Sequence, residues 1–104
     1  MSISITVSNE VAEHLDRLEV GSTDNIDEKL RLLLIAEYRR KLTHYRLTDE
    51  QLQQKYHTSF EAFEQKRLTE ELEYSWNVES DAIAWETAID GIRTMKRRLD
   101  KLTG

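Results

Sequence analysis

The sequence predicts a mainly α-helical protein that opens with one short β-strand, continues as a helix-turn-helix and ends in a helical arm. Three observations carry this prediction. The 104 residues include no proline and 34% charged side chains, a composition that favours long helices over loops. Residues 3–7 alternate apolar and polar side chains with the period of a strand, whereas most later apolar residues recur at helical spacing.

The predicted strand needs a partner. Ile3, Ile5 and Val7 are β-branched and alternate with small polar residues, but no hairpin follows them. Since a lone strand cannot satisfy its backbone hydrogen bonds, it must pair with a second chain or with residues 72–78, which also alternate. We prefer the first solution, which makes a homodimer with an intermolecular β-ribbon.

Two helices are expected after the strand. Residues 11–18 have apolar side chains at helical spacing, and the helix should end near Gly21, which can take a left-handed backbone conformation. Residues 22–25 are N-cap types that open the second helix. Its segment 30–35 is apolar nearly all round, which indicates burial on more than one side, as a dimer would provide.

The arm, residues 47–104, is expected to be helical as well. Capping boxes at residues 48–51 and 58–61 predict helix starts, and a last helix is expected from about Ser80. In that helix two series repeat every seven residues: Trp85, Ile92 and Leu99, and Ala88, Met95 and Leu102. This seam fits a short coiled coil or an ordinary amphipathic helix packed on its own domain, and both remain open.

Charge is divided into blocks along the chain. The net charge is −5, but residues 29–46 carry +5, residues 61–90 carry −7 and residues 91–104 carry +4. Such blocks indicate surfaces for different partners. Solvated helix faces explain any single block equally well.

Several classes of function are excluded by composition. There is no cysteine, and His14, His44 and His57 lack metal-ligand spacing, so we expect no metal and no cofactor. No stretch reaches the ~20 apolar residues of a membrane span, and the N-terminus does not resemble a signal peptide. We therefore expect a cytoplasmic protein with no membrane partner. No phosphate-binding glycine loop or nucleophile elbow is present, and we predict that the protein is not an enzyme.

One pattern favours a catalytic alternative. Four residues separate Arg39 from His44, and this spacing resembles the Arg-x4–6-His motif of all-helical ribonucleases of the HEPN type. In those enzymes the two side chains serve in-line RNA cleavage. A solvated basic helix end explains the same spacing, so the ribonuclease is the third of our hypotheses.

The order strand, helix, turn, helix resembles the ribbon-helix-helix family of DNA-binding proteins. The likeness rests on residues 3–8, 11–18, 21–23 and 36–38, and it defines a first domain of residues 1–46. In that family, paired strands enter the DNA major groove and the second helix's N-terminus holds a phosphate. The resemblance implies DNA-binding roles for five side chains: Ser2, Ser4, Thr6, Ser22 and Thr23.

A head of this kind followed by an acidic, aromatic arm resembles the antitoxins of type II toxin–antitoxin systems. There the head dimerises and represses its own operon, while the arm wraps a cognate toxin. The resemblance implies partner-binding roles for Tyr74, Trp76, Val78, Trp85 and Ile89, and the alternative for Trp85 and Ile89 is the protein's own core. We therefore expect an antitoxin whose partners are a toxin, a second copy and operator DNA. A stand-alone dimeric transcription regulator is the alternative.

Overall fold

The computed structural model describes residues 2–68 and 75–104 of the chain, and these residues are mainly α-helical, as predicted. They form α1 (Asn9–Arg17), α2 (Ile26–Tyr56), α3 (Phe60–Leu68) and α4 (Trp76–Thr103). The chain divides into two compact units, Met1–Glu37 and Tyr38–Gly104, which we call unit 1 and unit 2. The division falls within α2, upstream of the domain boundary expected between residues 46 and 47.

The prediction of an N-terminal β-strand at residues 3–7 is wrong. Residues 2–8 form neither strand nor helix, and no strand occurs in the described ranges 2–68 and 75–104. The intermolecular β-ribbon and the ribbon-helix-helix-like architecture that depended on it are therefore corrected to an all-helical fold. Alternation of apolar and polar residues suits an extended backbone, but a strand exists only where a neighbour takes up its hydrogen bonds.

The prediction that residues 72–78 form a strand is also wrong for the part of this segment that the structure describes. Residues 69–74, which include the candidate Tyr74, lie outside the described residues. Residues 76–78 form the first turn of α4, because the Ser75 hydroxyl accepts a hydrogen bond from the Val78 backbone N–H at 3.1 Å. This N-cap starts the last helix four residues before the expected Ser80.

The remaining helix starts follow local capping chemistry. Ser8 accepts from the Val11 N–H at 3.2 Å, Asn25 from Glu28 at 3.0 Å, and Ser59 from Ala62 at 3.2 Å. The start expected from residues 58–61 is thus confirmed. A start or restart at residues 48–51 is wrong, since α2 continues through them and Thr48 donates its hydroxyl to the His44 carbonyl.

Unit 2 has a closed aromatic core. Trp85 of α4 and Phe63 of α3 are fully buried, and the buried Leu52 of α2 and Ala82 of α4 pack with them. Half-buried side chains complete the cluster: Tyr56, Phe60, Val78 and Ile89. The centroid of the Trp85 ring lies 5.0 Å from that of Phe63. Because Trp85, Ala88 and Met95 are buried in their own unit, the amphipathic-helix alternative describes α4.

Within unit 2, α2 and α4 run antiparallel. Near one end, Arg98 lies over the Tyr38 ring, 5.6 Å from its centroid. Farther along, Gly91 lies against Tyr45, and a Cβ added to this glycine would lie 2.5 Å from the ring. Successive contacts therefore involve later residues of α2 and earlier residues of α4, as antiparallel helices require. Because Gly91 has no side chain, the Tyr45 ring can pack directly against the α4 backbone.

Unit 1 contains α1, the following turn and the first part of α2. Gly21 has the expected left-handed conformation with a φ of +62°, but the helix end expected near it is wrong, since α1 ends at Arg17 and Gly21 lies in the following turn. The buried Lys29 donates hydrogen bonds to the carbonyls of Leu15 at 3.1 Å and Asp16 at 3.0 Å. Since the last carbonyls of a helix lack partners within that helix, Lys29 caps α1 with a positive charge.

Candidate protein-binding surfaces

Unit 1 carries an apolar surface that its own residues leave uncovered. Ile26, Leu30, Leu33 and Leu34 are 36–48% exposed, and Val11 of α1 is 47% exposed. We call these five residues the unit 1 apolar face. The four on α2 are spaced i, i+4, i+7 and i+8, so they share one side of the helix. Residues 30–35 were expected to be buried on more than one side of the helix, but Ile35 is the one buried residue among them.

The N-terminal segment adds further exposed apolar side chains. Ile3 is 80% exposed, Ile5 76% and Val7 45%. The DNA-binding candidates Ser2, Ser4 and Thr6 alternate with them and are exposed too. The structure therefore leaves these three hydroxyls accessible, and their DNA-binding role stays a prediction.

The other two DNA-binding candidates lie in the turn before α2. Ser22 is exposed, whereas the Thr23 hydroxyl accepts a hydrogen bond from the Asn25 N–H at 3.1 Å. Both line a polar hollow of about 480 Å³ together with three carboxyl and two basic side chains: Asp16, Glu19, Asp24, Arg17 and Lys29. An excess of negative charge in this hollow disfavours a phosphate there.

The two tryptophans of the predicted partner-binding set have opposite environments. Trp76 is 80% exposed, whereas Trp85 is fully buried and donates its indole N–H to Asp49 at 2.7 Å. They are nine positions apart on α4, which corresponds to about two and a half turns and places them on opposite sides. Val78 and Ile89 are half-buried against the core, so among the described candidates Trp76 is the one with an open side chain.

Sequence reasoning missed Ile83, which is 61% exposed and lies on the same side of α4 as Trp76. Ser80 and Thr87 continue this side and are also exposed. We call these four residues the Trp76 face, and none of them is charged. The seven-residue spacing from Trp76 to Ile83 was a usable signal, but it required α4 to begin at Trp76.

A polar cluster joins α2 to α4 at the edge of the core. Asp81 accepts hydrogen bonds of 2.6 Å from both Lys55 and Tyr56. Burial, assisted by the hydrogen bond and charge of Asp81, raises the pKa of Tyr56 to about 12. Burial alone would raise the pKa of Asp81, but the hydrogen bonds from Lys55 and Tyr56 outweigh it and hold that pKa below its usual value. Neither group is tuned to exchange protons near neutral pH.

The proposed ribonuclease pair is not brought together. Arg39 and His44 are both exposed on α2, and five residues along a helix turn a side chain through about 140°. His44 lines a shallow groove of about 230 Å³ with Tyr45, Thr48, Ala84, Thr87 and Ala88, and Arg39 is not among its residues. The described residues also contain no group of three potential metal ligands.

Comparisons of the chain with protein-family models, with curated proteins and with solved structures find no match. Within the described ranges, no helix combines the length and the apolar character that a membrane crossing requires.

Proposed function

We propose that the protein is an antitoxin-type regulator that acts by binding proteins and performs no catalysis. The observation that carries the proposal is the unit 1 apolar face, five aliphatic side chains each more than a third exposed. Four of them share one side of α2, and exposed apolar surfaces of this kind typically mark sites of protein association. In this proposal a second copy of the chain covers that face, and the Trp76 face binds the toxin.

The exposed aliphatic area is large enough for a dimer. Complete covering of the unit 1 apolar face together with Ile3, Ile5 and Val7 would remove at most about 700 Å² per chain from water. That area approaches the ~800 Å² that each partner contributes to a standard interface. A second copy suits the surface because the same aliphatic side chains of two chains can pack against one another about a twofold axis.

The Trp76 face has the chemistry of a protein anchor. Exposed tryptophan side chains are enriched among the residues that dominate binding energy at interfaces. Residues 76–90 also contain four acidic and no basic side chains, so the surroundings of Trp76 favour a basic partner. A toxin that itself binds RNA or DNA has this character.

Light scattering tests the dimer. The wild-type chain should elute with twice the monomer mass, and Leu30→Glu with Leu33→Glu should elute as a monomer that remains helical by circular dichroism. The matched control is Leu47→Glu, which alters an exposed leucine of unit 2. A wild-type protein that stays monomeric at 100 µM would contradict the proposed dimer.

Affinity capture from the native cells tests the antitoxin role. The full-length protein should retain a small basic protein stoichiometrically, and the captured protein should arrest growth when produced alone. Trp76→Ala should lose the captured protein and fail to rescue growth, whereas Leu47→Ala should behave as wild type. A dimer that carries no protein would overturn the antitoxin proposal and favour a stand-alone regulator.

A further inference from the structure

The packing of α2 against α4 brings together two basic segments that lie far apart in the sequence. Residues 38–46 contain four basic side chains and no acid, and residues 91–103 contain five basic side chains and one acid, Asp100. The antiparallel register, with Arg98 over Tyr38 and Gly91 against Tyr45, places both segments at the same end of the helix pair. We call this region the basic end of unit 2.

The basic end is exposed and highly charged. Of its nine basic residues, Lys41 is half-buried and the other eight are exposed. The exposed ones are Arg39, Arg40, Arg46, Arg93, Lys96, Arg97, Arg98 and Lys101. The two segments carry +8 in a protein whose net charge is −5. A charge of this size on two adjacent helices creates a strong local positive potential.

A large part of this charge lies on one side of the helix pair. Arg39 and Arg46 are seven residues apart and share a side of α2. Arg93 and Lys96 share a side of α4, on which Asp100 is the single acid of the segment. At about 100° per residue, both groups lie on the side away from the groove lined by His44 and its neighbours. The antiparallel packing therefore joins the two rows into one basic surface.

Helix stability alone does not account for this arrangement. Basic residues near the C-terminus of α4 complement the helix dipole, but this effect is confined to the last turn. Arg93 and Lys96 lie outside it, and helix stability offers them only the small i,i+3 and i,i+4 attractions to Asp90 and Asp100. Residues 39–46 lie in the middle of α2. Moreover, Arg93 and Arg97 are like charges spaced i and i+4, a pairing that weakens a helix. The basic end thus carries repulsion that a purely structural role would not require.

We propose that the basic end of unit 2 binds the phosphate backbone of a nucleic acid. Six of its nine basic residues are arginines, whose planar guanidinium groups bind phosphate oxygens with two parallel hydrogen bonds. Each basic segment extends about 12 Å or more along its helix, a length over which a duplex presents several phosphates. The acidic half of α4, residues 76–90, repels nucleic acid and so directs it to the basic end.

This site differs from the surfaces of the proposed antitoxin role, and it does not rest on that role. It also differs from the N-terminal hydroxyls that the sequence suggested as base readers. Contacts to phosphates carry no base sequence information, so binding at the basic end is expected to be insensitive to sequence and strongly dependent on salt.

Fluorescence anisotropy with the full-length protein tests the proposal. The probes are a labelled 24-base-pair DNA duplex, an RNA duplex of the same sequence and the single DNA strand, each titrated between 50 and 200 mM KCl. Polyglutamate of matched charge serves as competitor. The test variant is Arg39→Gln with Arg93→Gln, and the control, Arg17→Gln with Arg31→Gln, removes the same charge from exposed positions of unit 1.

We expect the test variant to bind roughly tenfold more weakly and to lower the slope of log K against log salt by about two, one for each lost phosphate contact. The control variant should bind with the affinity of the wild type. Comparison of the three probes shows whether the protein prefers duplex DNA, duplex RNA or single-stranded DNA. The test variant should also unfold at a slightly higher temperature because repulsion is relieved, which separates lost binding from misfolding. Absence of binding at 50 mM KCl, equal weakening by both variants, or equal displacement by polyglutamate would overturn the proposal.

Discussion

The two units use their apolar residues in opposite ways. In unit 2 the side chains of Trp85 and Phe63 are completely buried, and three helices contribute to the core around them. In unit 1 no residue of α1 is buried, although that helix is strongly amphipathic. The described buried positions of unit 1 are Lys29 and Ile35, one of which is charged.

Unit 2 encloses a core of its own, whereas unit 1 does not. A third helix and large aromatic rings let unit 2 enclose a core, whereas unit 1 has two short aliphatic helical stretches and leaves an apolar face open. Small folds with little buried surface commonly depend on association for their stability. We therefore expect the stability of unit 1, but not that of unit 2, to depend on protein concentration.

The largest effect is expected from Trp85→Ala, which removes the centre of the unit 2 core. Loss of the ring and the cavity left behind should lower the free energy of unfolding by about 3–5 kcal/mol. Urea denaturation followed by circular dichroism measures it. Trp76→Ala, at the exposed tryptophan, should change stability by no more than about 0.5 kcal/mol. Similar losses in the two variants would contradict the assignment of one ring to the core and the other to the surface.

Lys29→Ala is expected to affect unit 1 specifically. Without the ammonium group, the carbonyls of Leu15 and Asp16 at the end of α1 lose a charged donor, at a cost of about 2 kcal/mol. Amide hydrogen exchange should then become faster in α1 and stay unchanged around Trp85. The exposed Arg31→Ala serves as control, and equal effects of both substitutions would show that the cap is unimportant.

Gly91→Ala tests the close approach of α2 and α4 in unit 2. Alanine favours a helix over glycine by about 1 kcal/mol, but the new methyl group would overlap the Tyr45 ring, and overpacking costs about 1–3 kcal/mol. We expect a net loss near 1 kcal/mol in thermal or urea unfolding. Combining Gly91→Ala with Tyr45→Leu should recover much of this loss, and a stabilising single substitution would contradict the observed packing.

The smallest effect concerns the polar cluster at the edge of the unit 2 core. The folded-state pKa of Tyr56 is raised to about 12, so its contribution to stability is present below pH 10 and is lost as the pH rises from 10 through 12. The pKa of Asp81 is lowered, so its contribution is lost when the pH falls below about 4. Absorbance at 295 nm should show one late-titrating tyrosine, and Tyr56→Phe should remove that late phase.

Local capping chemistry was predictable because it depends on a few neighbouring residues. The caps at Ser8, Asn25 and Ser59 follow from a side-chain oxygen placed to accept a free N–H of the first turn. The same rule gave a false start at residues 48–51, where the Thr48 hydroxyl instead bonds back to the preceding turn. A capping signal thus identifies a competent residue, and packing of the whole helix decides whether it is used.

The strand predictions failed because alternation does not determine secondary structure by itself. Residues 3–7 have the pattern, but no neighbouring strand lies in the described part of the chain. Residues 76–78 alternate as well, yet Ser75 provides an N-cap that makes them helical. Moving the start of α4 from Ser80 to Trp76 is also what brings Trp76 and Ile83 onto one exposed helical side.

The candidate surfaces were only partly accessible to sequence reasoning. Both basic segments were recognised by their charge, but their proximity depends on the antiparallel register of α2 and α4, which contacts at Tyr38 and Tyr45 define. The contrast between Trp76 and Trp85 was equally hidden, since both lie in the same acidic stretch. The two tryptophans point to opposite sides of α4, and the side that packs against Phe63 is the one that carries Trp85.

Two tryptophans with opposite environments supply the protein with two intrinsic optical reporters. Trp85 lies among the rings of Tyr56, Phe60 and Phe63, so its emission should be blue-shifted and resistant to quenching by iodide. Trp76 should emit near the wavelength of free indole in water and be quenched readily. One wavelength range would then report the integrity of the core and another the occupation of the surface, without any attached dye.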